Sequence, residues 1–158
     1  IQNRGYSCRC IRCREVGLKR LTHIQYDDGD IEFKQEKYFA SEGEEIFLSL
    51  IDKNDDSLVG FIRLRKPSAF AHRPEIKNSK SMLVRELHVY GPVALIGLKD
   101  DISWQHRGFG RMLMNKAEQI SKEEYDTNKV LVMSAVGTRM YYKKLGYKLE
   151  GPYMVKDI

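Results

Sequence analysis

The sequence has little that would send a chain to a membrane or to the cell exterior. No apolar run approaches the roughly 18 residues of a spanning helix, and the chain does not open on a signal-peptide pattern, so no membrane partner is expected. Cysteine is confined to Cys8, Cys10 and Cys13. An odd number of clustered thiols argues against a disulfide framework and points to an intracellular, cytoplasmic setting. Internal repeats and low-complexity tracts are absent, which excludes solenoids and long disordered tails. No Cys or Ser stands with a base as a convincing nucleophile, so a covalent enzyme intermediate is not expected.

What remains is the composition of one globular domain: 158 residues, 42% hydrophobic and 31% charged. The chain starts at Ile1 rather than Met and reads as a piece of something longer. Its net charge of +5 suits a polyanionic partner without requiring one. The charge is uneven, for the first stretch holds Arg4, Arg9, Arg12, Arg14, Lys19 and Arg20 against Glu15 alone. Such a cluster is either a solvated face or a nucleic-acid contact. Within it, Cys8-Arg9-Cys10-Ile11-Arg12-Cys13 is compact enough for three thiolates to meet on one zinc ion, which takes four tetrahedral ligands. The fourth would be His23, His72, His88, His106 or a residue preceding this stretch; the alternative is a reduced cluster that binds nothing. Residues 1–26 are therefore set apart as a basic, Cys-rich, zinc-binding segment, and 27–158 as the main domain, with the acidic Asp27-Asp28-Gly29-Asp30 at the boundary.

Period-two alternation and β-branched content predict strands over Ile31–Ala40, Glu45–Ile51 and Leu58–Arg65, the last two joined as a hairpin by Asp52–Ser57. Pro67–Lys80 reads as a loop and Ser81–Tyr90 as a strand. Strict alternation would place Leu83, Arg85, Leu87 and Val89 on one face of it and Val84, Glu86, His88 and Tyr90 on the other. Glu86 and His88, side by side, could serve as general base or could form a structural ion pair. After a connecting loop, Gln105-His106-Arg107-Gly108-Phe109-Gly110 leads into a helix whose apolar stripe is Phe109, Met112, Leu113, Ala117 and Ile120. A glycine-lined helix start offers unpartnered N–H groups and the positive end of the helix dipole to a pyrophosphate. A strand over Lys129–Ala135 and a short helix closed by Gly146 follow, and a last strand, Tyr147–Lys156, is interrupted at Gly151-Pro152. On that short helix Tyr142 is either a core filler or a proton donor.

The ordered series Gln-x-x-Gly-x-Gly, helix, strand and Tyr-x-x-Leu-Gly-Tyr resembles the acyl-CoA-binding core of the GCN5-related N-acetyltransferase (GNAT) superfamily. That resemblance implies an α/β fold: a mixed, mostly antiparallel twisted sheet flanked by helices and splayed where acetyl-CoA enters. It implies that Gln105, Arg107, Gly108, Phe109 and Gly110 bind the cofactor, with Tyr141 and Tyr142 beside it. Tyr142 matches the position of the family's general acid. One departure is the connection Ser41-Glu42-Gly43-Glu44, where the superfamily commonly places helices.

A closer resemblance, to the family of Elongator catalytic subunits, rests on Gly5-Tyr6-Ser7-Cys8-Arg9-Cys10-Ile11-Arg12-Cys13-Arg14-Glu15, Arg85-Glu86-Leu87-His88-Val89-Tyr90-Gly91 and the segment Tyr141 to Tyr153. It implies a preceding radical S-adenosylmethionine domain with an iron–sulfur cluster, tRNA as partner, other Elongator subunits as neighbours, and acetyl-CoA hydrolysis or transfer serving carbon-five modification of the wobble uridine. Two other functions stay open: a lysine acetyltransferase acting on histone-type peptides, and a non-catalytic module that holds CoA and tRNA.

Overall fold

In the computed structural model, residues 8–19, 30–77, 79–90 and 108–158 are described. Two one-turn helices, α1 (Ile11–Arg14) and α2 (Val16–Lys19), precede β1 (Ile31–Ala40), β2 (Gly43–Asp52) and β3 (Leu58–Lys66). A one-turn α3 (Pro74–Lys77) leads into β4 (Ser81–Val89). The helix α4 (Phe109–Glu123), β5 (Lys129–Val132), a 3-10 turn, α5 (Arg139–Lys144), β6 (Lys148–Glu150) and β7 (Tyr153–Asp157) complete the chain. The seven strands form one sheet in the order β1-β2-β3-β4-β5-β7-β6. Only β4 with β5 is parallel, so the sheet is mixed and mostly antiparallel, as predicted.

Local chemistry explains the hairpins. Ser41 (φ 47°) and Glu42 (φ 58°) both take left-handed backbone, which gives a two-residue turn whose twist matches the strands on either side. β1 therefore pairs with β2 over ten positions, Ile31↔Asp52 through Ala40↔Gly43, with no helix between them. At the next turn the Asp52 carboxylate accepts from Asn54 N (2.8 Å), and Asp52 N donates to Ser57 O (2.9 Å).

The core lies between the sheet and α4. Ile46, Leu48, Leu50, Ile62, Leu64, Met82 and Val84 meet Phe109, Leu113, Met114, Ala117 and Ile120, all of them buried. The stripe of α4 differs from the sequence expectation in one member: Met112 is 41% exposed and Met114 is buried in its place. Their spacing to Phe109 and Leu113 does not separate the two, since both are apolar and flank the stripe.

Three further expectations are corrected. α3 lies inside the stretch read as a loop; Pro74 suits a first helical position, and Ile76 packs against Leu83, Leu131, Tyr153 and Val155. β5 ends at Val132 and not at Ala135, because Val136–Thr138 turns into α5. The third correction concerns the faces of β4. The register against β3 shifts from Arg63↔Glu86 to Leu64↔Val84, which leaves Arg85 as the extra residue of a bulge. Val84 consequently shares the α4 face with Leu87 and Val89, whereas Glu86, His88 and Tyr90 lie on the face of Leu83.

On that second face a buried carboxylate organises three strands. Glu45 is 1% exposed, and its Oε1 accepts from Arg65 (2.7 Å) and from Arg85, the bulged residue. Arg65 also donates to Ala40 O (3.0 Å) and Ser41 O (2.8 Å), which ties the β1–β2 turn into the same group. The Cys-bearing segment joins this face farther along. Arg14 donates to the Asp56 carboxylate at 2.8 Å and to its carbonyl at 3.0 Å, while Val16 is fully buried.

Removing the carboxylate should be costly, because it strands a largely buried guanidinium. Glu45→Ala is expected to lower the free energy of unfolding by about 3 kcal/mol in guanidinium titrations, and a loss below ~1 kcal/mol would mean that both arginines turn out into water.

Candidate functional site

The bulge is followed at once by the parting of β4 from β5. Their parallel pairing covers only Ser81–Val84 against Lys129–Val132, and the last bond across it is Met133 N to Val84 O (2.9 Å). Beyond that point β4 runs on to Val89 with no strand on its β5 side among the described residues. A cleft of about 630 Å³ fills the wedge. β4 lines it with Leu87 and Val89, and the start of α4 with Gly108, Gly110 and Arg111. Thr138, Tyr141, Tyr142, Lys144 and Leu145 line the α5 side. Its lining combines apolar side chains, Leu87, Val89 and Leu145, with two cations, Arg111 and Lys144.

The α4 start has the form expected of an anion site. Gly108 caps the helix at φ 80°, a left-handed conformation, and as glycine it supplies no side-chain cap. The first intrahelical bond runs from Met112 N to Gly108 O (2.9 Å), so the i to i−4 ladder of α4 begins at Gly108. Gly110 has a different reason to be glycine: a Cβ there would lie 2.5 Å from the Tyr141 phenol oxygen. The bare backbone of Gly110 is what lets Tyr141 lean over the helix start. Phe109, named from sequence as a binding residue, turns its side chain into the core and has only main chain to offer the cleft. Gln105 and Arg107 lie outside the described residues.

Of the two tyrosines, Tyr142 is the buried one, 6% exposed against 39% for Tyr141. Their rings meet edge to face at 5.2 Å. Burial, followed by the neighbouring Tyr141, pushes the Tyr142 phenol up to about 12. Burial also raises the Tyr141 phenol, with Arg111 opposing the shift. Tyr142 therefore stays a protonated hydrogen-bond donor throughout the range in which enzymes work.

Glu86 and His88 are not brought into this cleft. They project from the other face of β4, where Arg63 approaches Glu86 at 3.6 Å and His88 lies between Phe61 (5.9 Å) and Tyr90 (4.4 Å). The three thiols, in contrast, are brought together: Cys8, Cys10 and Cys13 are exposed, with all sulfur atoms within 4.8 Å of one another. The Cys13 amide, then the Cys8 and Cys13 side chains, lower Cys10 to about 7; hydrogen bonding to Cys10 and Cys8 raises Cys13 to about 11. This donor set fits zinc, with sulfur ligands at convergent spacing. Among the described residues no fourth His, Cys, Asp or Glu joins the group. Leu87, Val89, Arg111 and Lys144 were not read from the sequence as site residues. Only the basic residues flanking the two motifs could have hinted at the two cations.

Comparison with known proteins covers the whole chain. The profile of the "Acetyltransferase (GNAT) family" matches residues 18–147. Elongator complex protein 3 of Danio rerio is 46% identical over 158 residues, all of this chain and 28% of that protein. The tRNA uridine(34) acetyltransferase of Methanocaldococcus infernus is 48% identical over 165 residues, 100% of this chain and 30% of that protein. A solved structure of Methanocaldococcus infernus Elp3 with an N-terminal deletion superimposes with a TM-score of 0.87 at 48% identity, covering 99% of this chain and 37% of that one. The chain thus spans about three tenths of the length of these curated relatives. With the glycine-started helix, the parted strands and the cleft between them in place, the chain belongs to the GNAT acetyltransferase family, in the branch that holds Elongator complex protein 3.

Proposed function

We propose that this chain is the part of a tRNA-modifying enzyme that binds acetyl-CoA and releases its acetyl group for carbon-five modification of the wobble uridine. The observation that carries this reading is the wedge where β4 parts from β5, lined by the glycine-capped start of α4 and by a buried, protonated phenol. Main chain at Gly108, Gly110 and Arg111 would receive the pyrophosphate, helped by the Arg111 and Lys144 charges and by Gln105 and Arg107. The apolar walls, Leu87, Val89 and Leu145, would line the pantetheine arm. Tyr142 would donate its proton to the departing thiolate, and Glu86 or His88 would act only on an acceptor that approaches from the opposite face of β4. Such catalysis works through placement and fixed dipoles and needs no covalent enzyme intermediate.

The name tRNA uridine(34) acetyltransferase of a relative supports the acceptor, as does the run of cations around the thiol cluster. Arg9 and Arg12 would meet tRNA phosphate, Arg14 being held by Asp56, so binding should weaken steeply with salt. Cys8, Cys10 and Cys13 would hold one zinc ion, whose role is to fold this basic segment, with the fourth ligand coming from outside the described residues. The length of the relatives leaves room for a preceding radical S-adenosylmethionine domain with its iron–sulfur cluster, which would act on the ring carbon. Other Elongator subunits would assemble around the whole.

Calorimetry with acetyl-CoA tests the wedge. Binding should be weakened by about tenfold or more in Gly110→Ala, whose new methyl displaces Tyr141, and an unchanged affinity would remove the helix start from the site. For the acid, Tyr142→Phe should slow tRNA-dependent release of the CoA thiol by about 100-fold with little change in affinity. Because that phenol stays protonated well past neutrality, the wild-type rate should show no alkaline decline from this group up to about pH 10; a decline near pH 8 would assign the acid elsewhere. Elemental analysis of the full-length protein should find one zinc lost on Cys13→Ser, and a metal content that survives this change would place the ion at another site.

A further inference from the structure

The Tyr142 phenol is held in place by a second tyrosine that the chemistry above leaves unused. Behind Tyr142 the chain reverses at Gly146 (φ 90°), and the Tyr142 carbonyl accepts from the amides of Leu145 (3.0 Å) and Tyr147 (3.1 Å). The two rings meet edge to face at 6.0 Å and 69°. Tyr147 is itself 3% exposed, and its phenol donates to Glu118 Oε1 at 2.8 Å. The other oxygen of the same carboxylate, Oε2, accepts from Lys156 Nζ at 2.7 Å, and that ammonium also lies 5.6 Å from the centre of the Tyr147 ring.

Packing alone does not call for this. Phenylalanine would fill the volume under Tyr142 without obliging α4 to carry a carboxylate that is only 15% exposed, or β7 to send a lysine to meet it. The arrangement has a geometric result. Glu118 stands on α4, the helix whose start faces the cleft, and Lys156 on β7, so one carboxylate ties α4, β7 and the residue beneath Tyr142 into a single unit. Burial and then Glu118 push the Tyr147 phenol strongly up, so it remains a donor at any working pH.

We propose that Tyr147, locked by Glu118 and Lys156, is a positioning residue: it sets the direction from which the Tyr142 phenol faces the cleft and couples that direction to the carrier-binding helix. The inference rests on Tyr142 being the acid. A rotation of this phenol would leave the pyrophosphate grip intact and misplace the proton by a fraction of an ångström to an ångström, which is enough to slow a transfer severely. The signature is thus a fall in turnover without a fall in affinity.

A double-mutant cycle in the full-length protein distinguishes this from a merely structural role. The rate read is single-turnover release of the CoA thiol at saturating acetyl-CoA with tRNA present, alongside the dissociation constant for acetyl-CoA and the thermal midpoint. Tyr147→Phe keeps the ring and removes the anchor; it should slow release about tenfold with the dissociation constant within about twofold. Tyr142→Phe should slow it about 100-fold, and the double variant should be no slower than Tyr142→Phe alone, because a misdirected acid that is already absent costs nothing more. Multiplied losses of about 1000-fold would overturn the inference, since Tyr147 would then act independently of Tyr142. An unimpaired Tyr147→Phe beside an impaired Tyr142→Phe overturns the inference alone, whereas an unimpaired Tyr142→Phe overturns the acid assignment and this inference with it. If Tyr147→Phe does not fold, Glu118→Ala removes the acceptor of the phenol and leaves both tyrosine rings in place, and the same outcomes are read from it.

Discussion

Everything that makes the wedge depends on where β4 stops pairing with β5. Hydrogen bonding holds the two together through Val84 and Val132, and Arg85 then swells β4 by one residue. A bulge sharpens the local twist and turns the following side chains over. Here it moves Leu87 and Val89 onto the α4 side, where they line the cleft, and sends Glu86 and His88 to the other. The same residue anchors the bulge, because the Arg85 guanidinium is bound to the buried Glu45 carboxylate two strands away. Packing of the second face thus fixes the opening on the first.

Elements with strong internal periodicity could be read from the sequence. β1 to β4, the hairpin of β2 and β3, and α4 stand where alternation and helical spacing put them, and Gly108, Gly110, Tyr141 and Tyr142 all line the cleft. The missing information was three-dimensional. Alternation assumes a uniform pleat, so it assigned Val84 to the face of Glu86; a single bulged residue invalidates that for every position after it. α3 is too short to show a period and is held by Ile76 packing on a cluster that includes Leu131, Tyr153 and Val155, which are distant in sequence. Met112 and Met114 are interchangeable to a pattern but not to the core.

The tight turn at Ser41 and Glu42 changes how the second face of the sheet is used. With no helices arising between β1 and β2, the covering of that face falls to segments that are remote in the chain. Glu15 bridges to Leu58, Arg14 is tied to Asp56, and the neighbouring Val16 is fully buried. The thiol cluster therefore sits on the acyltransferase fold itself, within one helical turn of residues that complete its packing.

One consequence of the short β4–β5 ladder concerns cohesion. β1 to β4 form one wing of the sheet and β5 to β7 another, and the two are joined by a parallel seam of four residues with α4 laid across it. Whatever occupies the gap touches β4 of the first wing and, on the other side, α5, which lies between β5 and β6 in the chain. Its affinity is then also a mechanical brace, stabilising the joined form over any in which the wings swing apart.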